Sequence, residues 1–414
     1  MRSSGSGSSR TRAGRFVPLA ALTLLGSPTA GGCASNSSHG PDQAAVSFID
    51  SGADPGSVLS WNVTLGDADG DGDLDVFLSN WHYSNPALVA ELWLNDGSGS
   101  FSLSGQEFPV SQHRLVPGDL DSDGDLDIWL GGAESVSDTA GAVWLNDGSG
   151  HFVPGSSGYR TGNAALADLD GDGDLDAWVT NYNQGSRIYL NDGAAAFTAS
   201  TQGLNQQRTF SVGLGDLDGD GDADAWVVSA GDENQVDGHS DRVWFNDGAG
   251  IFTHSGQSLN PFVGIHCDFG DVDGDGDLDV VTANMHQAPD PALEAHPNRL
   301  WLNDGAGSFT PSDQDMGLSG VADVRFGDLD GDGDTDAVIL QGDSTFDGRA
   351  NLVLLNDGSG HFADSGLRLG SGASVAGALG DLDGDGDLDI FVANCGFGAN
   401  KVWLNTTGEN ISPR

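Results

Sequence analysis

Short apolar runs recur along the chain at nearly even intervals, each fenced by the same polar signals. Val76-Phe77-Leu78, Ile128-Trp129-Leu130, Ala177-Trp178-Val179 and Ala225-Trp226-Val227-Val228 are unbroken stretches of β-branched and aromatic residues. Such runs predict strands buried on both faces, since a strand with one wet face would alternate instead. Before each run lies an aspartate-rich loop. Ahead of each loop a short strand ends in Gly or Ala, as in Val63-Thr64-Leu65-Gly66 and Val324-Arg325-Phe326-Gly327. Further on comes a second signature, Leu92-Trp93-Leu94-Asn95-Asp96-Gly97-Ser98-Gly99-Ser100-Phe101, repeated at 143–152, 188–197, 243–252, 300–309 and 353–362. Its Asn-Asp-Gly core tolerates positive φ, which predicts a hairpin joining a third strand to a fourth that begins near the Phe. No window of about a dozen residues keeps a helical period free of Gly or Asp, so helix has no place to form.

Counted from the first Asp of each loop, successive periods are 52, 49, 48, 55, 57 and 53 residues long. One period is then four antiparallel strands. Seven periods predict an all-β chain folded as a seven-bladed β-propeller of four-stranded antiparallel blades. The seventh period is cut short: Lys401-Val402-Trp403-Leu404-Asn405 supplies its third strand, but Thr406-Thr407-Gly408 replaces the hairpin and no Phe follows. The missing strand stands at the other end of the chain. Val46-Ser47-Phe48-Ile49-Asp50-Ser51-Gly52 matches the fourth strand of the sixth period, Gly360-His361-Phe362-Ala363-Asp364-Ser365-Gly366. Residues 46–52 are expected to complete the blade built from 373–405, closing the ring and leaving no unpaired blade. The propeller then occupies 46–408, after a polar linker at 34–45 and before a tail at 409–414.

The loops carry the clearest chemistry. Asp381-Leu382-Asp383-Gly384-Asp385-Gly386-Asp387-Leu388-Asp389 has carboxylates at positions 1, 3, 5, 7 and 9 and turn-permitting Gly at 4 and 6. Six to eight oxygen ligands suit calcium better than magnesium. The expected ligands are the side chains at positions 1, 3, 5 and 9 and the backbone carbonyl at 7. In the first loop these are Asp67, Asp69, Asp71 and Asp75, with the carbonyl of Asp73. The second offers Asp119, Asp121, Asp123, Asp125 and Asp127, and the third Asp168, Asp170, Asp172, Asp174 and Asp176. The fourth has Asp216, Asp218, Asp220, Asp222 and Asp224; the fifth has Asp271, Asp273, Asp275, Asp277 and Asp279. Asp328, Asp330, Asp332, Asp334 and Asp336 form the sixth, and Asp381, Asp383, Asp385, Asp387 and Asp389 the seventh. An EF-hand would need an acidic residue at position 12. Leu78, Leu130, Val179, Val227, Thr282, Ile339 and Val392 stand there instead, so the ligand set closes at position 9. Up to seven structural Ca2+ ions are expected, because carboxylates this close repel one another when no cation sits between them.

The repeats resemble the FG-GAP and VCBS families, whose best-known relative is the β-propeller of integrin α subunits. Phe269-Gly270-Asp271 and Phe326-Gly327-Asp328 carry the Phe-Gly-Asp form, and the nine-residue loop recurs in every period across about 46–408. The resemblance implies calcium in the hairpin between the first two strands of each blade, on one face. The family's Gly-Ala-Pro element is absent, as are integrin-like stalk, membrane and cytoplasmic segments. What carries over is the fold and the metal sites, not integrin function.

Composition narrows the partners. With 62 acidic against 15 basic residues the formal charge is −47, and the loops hold more than half of the acidic groups. Nucleic acid is excluded, because no basic run exists beyond the N-terminus. Ten Trp and eighteen Phe argue against disorder. Arg2, Arg10, Arg12 and Arg15 precede an apolar stretch at 16–25 that is too short to span a bilayer, which predicts a signal peptide over 1–33. Ala30-Gly31-Gly32-Cys33 resembles a bacterial lipoprotein signal; Cys33 would be lipidated and form the one membrane contact, whereas simple secretion is the alternative. No later segment is apolar enough for a transmembrane helix. Cys267 and Cys395 fall in the fifth and seventh periods and are expected to be buried free thiols.

Recognition is expected on the face opposite the metal loops, where connections vary most in length. The longest are Asn80–Glu91, Ser229–Arg242 and Ala283–Arg299. Trp81, His82 and Tyr83 could stack on a sugar or anchor a peptide, or pack among themselves, and His286 is a further ligand candidate. Near the axis, Arg114, His266, Asp268, Asp323 and Arg325 either pair internally, as Asp323 or Asp268 with Arg325, or bind a small ligand. No catalytic motif is visible. The expected function is a monomeric, non-catalytic, calcium-stabilised binding or adhesion module, cell-envelope or secreted, that recognises a protein or glycan. The alternative is an extracellular polysaccharide lyase or hydrolase, drawing on His82, His239 or His286 with Arg242 or Arg299.

Overall fold

A computed structural model describes residues 46–407, apart from 54, 57–59, 81–88, 109–113, 132–140, 161, 182–184, 205–207, 230–239, 285–296, 315, 318–320, 343–348 and 396–397. The expected signal peptide, linker and tail lie outside the described residues. Among the described residues there is no helix, and so none long and apolar enough to cross a membrane. The strands form seven four-stranded antiparallel sheets, each a simple meander from the axis outward. Blades 1 to 6 occupy 60–108, 115–159, 164–199, 209–254, 264–311 and 321–369, and blade 7 joins 374–405 to 48–50.

The second strands are buried along their whole length except at Gln341 of blade 6, as their unbroken apolar runs predict; Asp75–Asn80 and Asp389–Asn394 expose no residue. Outer strands carry the wet edge. In blades 3, 4 and 5 they shrink to Thr198–Ala199, Thr253–His254 and Thr310–Pro311, which limits the edge open to pairing.

Each hydrophobic cluster lies between two neighbouring blades. Phe77, Leu92 and Phe108 of blade 1 pack on Leu115, Ile128 and Phe152 of blade 2, and corresponding clusters fill the other six junctions. A blade alone would leave both faces uncovered, so the ring folds as one unit. The residue just before each loop sets how closely blades approach. A side chain at Gly66 would meet Leu126 of blade 2 at 2.9 Å, and one at Gly380 would meet Leu74 of blade 1 at 2.6 Å. Blade 3 has Ala167 at this position, and there the facing residue of blade 4 is the short Ala223.

The ring closes by the expected exchange of ends. Phe48, Ile49 and Asp50 pair with Asn405, Leu404 and Trp403. Thr406 and Thr407, which stand where other blades have Asp-Gly, grip the incoming strand: Thr406 N–H donates to Ser47 O (2.8 Å) and Ser47 N–H donates to Thr407 Oγ1 (3.1 Å). Val46 is buried between blades 6 and 7 with Leu340, Leu369 and Val392. Cys267 and Cys395 are free and buried.

Candidate metal centres on one face

All seven aspartate loops join the first strand of a blade to its second, so they lie together on one face. Position 1 organises the turn: Asp67 Oδ1 accepts from Gly70 N (2.8 Å) and its Oδ2 from Gly72 N (3.1 Å). Those glycines sit at φ of 75° and 99°, where a side chain would strain the loop. Blade 2 departs from this with Ser122 at φ 62°, whose hydroxyl donates to Asp174 of blade 3 (3.1 Å).

Position 9 is fully buried in every blade. Asp75 Oδ2 accepts from Ala68 N (2.9 Å) and its Oδ1 from Asn95 N (2.8 Å), and the same pair of bonds recurs at Asp127, Asp176, Asp224, Asp279, Asp336 and Asp389. Burial pushes these carboxyls up to about 6 at Asp75 and Asp127 and about 7 at the other five, with the backbone N–H groups pulling the other way. Position 3 is the position with an unmet need. One oxygen of Asp69, Asp121, Asp170, Asp218, Asp273 and Asp383 is buried without a hydrogen-bond partner. Burial and then the neighbouring position-5 carboxylate raise the position-3 pKa.

Positions 1 and 3 converge with position 5 or 9. Ligand oxygens of Asp67, Asp69 and Asp71 lie within 4.8 Å of one another, as do those of Asp119, Asp121 and Asp127, of Asp168, Asp170 and Asp176, of Asp216, Asp218 and Asp220, and of Asp271, Asp273 and Asp279. Oxygens bound across one calcium ion at about 2.3–2.6 Å each span about 5 Å, so a single hard cation fits among these groups. It would also satisfy the orphaned position-3 oxygen. The position-7 side chains point elsewhere: a Cβ on the hairpin glycines Gly97, Gly148, Gly193, Gly248 and Gly358 would come within 2.5–2.6 Å of the Asp73, Asp125, Asp174, Asp222 and Asp334 carboxylates. That leaves the carbonyl as the position-7 group on the loop side, and it gives the hairpin glycine a second reason to be glycine.

The hairpin Asn does more than turn the chain. Asn146 Nδ2 donates to Leu126 O of its own loop (3.1 Å) and to Ala68 O of the preceding blade (2.8 Å). Asn95, Asn191, Asn246, Asn303, Asn356 and Asn405 each make the same cross-blade bond at 2.7–2.9 Å. The acceptor is always position 2 of the neighbouring aspartate loop. Retention of Asn405 in the truncated seventh period is the sequence signal for this latch: the turn is gone, but the bond is still needed.

A protein-family model described as FG-GAP-like repeat matches residues 67–130, 119–179, 168–227, 290–339 and 328–392, together more than half of the chain. The chain belongs to the FG-GAP-like repeat family. No curated protein matches it. Among solved structures it is similar to two crystals of BBS1N in complex with ARL6DN. One, soaked with lead, is 11% identical with a TM-score of 0.51, and the other, soaked with mercury, is 10% identical with a TM-score of 0.53. Each similarity covers 86% of this chain and 96% of that one, and at such identity shows the fold alone.

Of the FG-GAP chain's remaining candidate residues, Trp81, His82, Tyr83 and His286 lie outside the described residues, as does His239. Arg299 packs over the Phe262 ring at 5.2 Å, and Arg242 borders a small cleft with Trp178 and Trp244. Around the axis the expected internal pairing is present. Arg325 binds Asp323 Oδ2 through Nε (3.1 Å) and Nη2 (3.0 Å), and His266 Nδ1 lies 3.0 Å from Asp323 Oδ1.

Proposed function

We propose that this protein is an exported, calcium-stabilised binding module that recognises a protein or glycan through the face opposite its metal loops. The observation that carries the calcium part is the recurring unpartnered carboxylate oxygen at position 3, buried among acids in six of the seven loops. Asp side chains at positions 1, 3, 5 and 9 would hold the ion, whose charge offsets their mutual repulsion and ties the first two strands of each blade together. The binding part draws support from the fold, which spends its repeated features on its own integrity and leaves variable connections on the other face. The solved propellers of like fold are in complex with a second protein, which supports a partner-binding role. The basic n-region, short apolar stretch and Cys33 support export, with a lipid anchor or free secretion as the end state.

The test uses the full chain with calcium, applied to a glycan array, to a protein-capture screen and to a polysaccharide-degradation screen. Saturable binding without cleavage is expected. Cleavage that disappears in His82→Ala or His286→Ala would replace the binding-module reading with the lyase or hydrolase one.

A further inference from the structure

The innermost strands all run toward the metal face, so residues at one offset before each loop form a ring around the axis. One such ring is Asn62, Arg114, Asn163, Ser211, His266, Asp323 and Ala376. In five blades the residue just before this ring is a bulge, where the ladder skips Trp61, Phe210, Ile265, Ala322 or Val375. The inner strands enclose an axial cavity of about 340 Å3, within the range of small-molecule sites. Much of its wall is apolar, with Leu65, Leu166, Leu214, Phe269, Phe326 and Leu379; Asp67 also lines it, as do Arg114, His266, Asp268 and Arg325.

The charges around His266 sum to zero, Arg114 and Arg325 against Asp268 and Asp323, but the direct contacts are unevenly shared. Asp323 is committed to Arg325 and His266, and also accepts from Gly377 N (3.0 Å). Asp268 spends its oxygens on Phe326 N (3.0 Å) and Phe269 N (3.1 Å). Burial keeps His266 neutral, its pKa pushed down to about 4. Arg114 is left over: its guanidinium makes no hydrogen bond or ion pair among the described residues, and it borders the cavity. Burial first and the like charge of Arg325 second push its pKa down to about 10. A guanidinium carries five donors in a planar fork that matches a carboxylate. An unpaired one lining a largely apolar cavity is the arrangement of a site for an amphiphilic anion.

We propose that the axial cavity binds a small organic carboxylate, its head on Arg114 and its apolar body against the leucine and phenylalanine wall. This inference uses the fold and the axial residues, and it stands or falls independently of the metal and surface-binding readings.

Benzoate is the probe, with neutral benzamide and inorganic phosphate as comparisons, titrated into calcium-loaded full-chain protein by calorimetry and followed by melting temperature. Benzoate is expected to bind saturably at one site and to raise the melting temperature, with benzamide and phosphate each at least tenfold weaker. Arg114→Gln should abolish benzoate binding. Ala378→Leu should do the same by filling the cavity without touching the guanidinium; Ala378 lines it. The circular-dichroism spectrum and calcium-dependent melting of each variant report whether it has folded. Absence of saturable benzoate binding to the parent chain overturns the proposal, as does undiminished binding in either folded variant. Phosphate binding as tightly as benzoate overturns it too, because the apolar wall would then play no part.

Discussion

The two ends of each innermost strand follow opposite rules. At the loop end the same constellation occurs seven times: a position-9 carboxylate tying loop to hairpin, and an Asn latching each blade to its neighbour. At the other end a backbone bulge recurs in five blades but the ionisable side chains do not: they come from blades 2, 5 and 6, with Ser211 and Ala376 at the same offset in blades 4 and 7. A feature present in every blade answers a need of every blade, here the capping of an acidic turn and the seam to the next sheet. The axial charges answer no such general need, since blades 4 and 7 fold without them. Blade-to-blade ties exist there too, but each is different: Thr64 Oγ1 donates to Leu115 O (3.1 Å), whereas Asp268 and Asp323 accept from Phe326 N and Gly377 N (3.0 Å each).

The largest effect should come from acting on all seven repeated sites at once. A ligand at a hundredfold excess over its Kd stabilises the folded state by about 2.7 kcal/mol per site. Seven such sites together exceed the roughly 5–15 kcal/mol that holds a typical domain. Removal of calcium with EGTA is therefore expected to lower the melting temperature by at least about 10 °C in calorimetry. An unchanged melting curve would break the comparison at its root, leaving the repeated acids as turn chemistry without an ion.

Next in size is the unrepeated end. Asp323 joins three blades, through His266 of blade 5, Arg325 of its own blade 6 and Gly377 of blade 7. Asp323→Ala leaves a buried guanidinium without its partner, a change that costs about 3–5 kcal/mol. Denaturant titration with calcium present measures it, and a loss below about 1 kcal/mol would show the axial network to be dispensable. Acid adds a sharper test. Burial of Asp323 alone would raise its pKa, but the Arg325 charge, joined by that of His266 once acid protonates it, overcomes this and holds it well below the usual carboxylate range, so it stays ionised. His266, at about 4, refuses a proton that the unfolded chain accepts near 6.5. At this site the unfolded state therefore binds more protons between those values, and the contribution of His266 to stability falls as pH drops from about 6.5 to 4, opposite in sign to the position-9 carboxyls wherever no cation keeps them ionised. His266→Gln should flatten that part of the stability profile relative to the parent chain.

How much of this was legible beforehand divides along the same line. Blade number, strand order, the clustering of the loop carboxylates and the exchange of ends could be read because repetition writes them many times over. Seven copies also set the acidic loop apart from an accidental Asp-Gly turn. The latch was harder, because Asn in Asn-Asp-Gly already has a local explanation, and its second bond reaches about 80 residues back along the chain, from Asn146 to Ala68. The axial layer was legible as a set of candidates, with Asp323 or Asp268 expected on Arg325. Arg114, His266 and Asp323 come together because a closed ring brings their strands side by side, and no local pattern marks which of them will pair. Neither period nor spacing could say which of Asp323 and Asp268 would take Arg325, or that Arg114 would be left without a direct ion pair.

The smallest effect should come from breaking a single repeated contact. Asn146→Ala removes the donors to Ala68 O and Leu126 O, and leaves both carbonyls in or near a seam that water reaches poorly. The expected cost is about 1–3 kcal/mol, that of stranding buried acceptors. Asn146→Asp should cost more, since a carboxylate cannot donate and would face those carbonyls and the acidic loop beside them. Both are read by denaturant titration at fixed calcium, beside Asp323→Ala. Six other latches remain in each variant, so the ring should still unfold in one cooperative step. If one Asn instead costs as much as Asp323, the loop end is no more redundant than the axis: seven copies would then be seven separate necessities, as in a chain that fails at its weakest link.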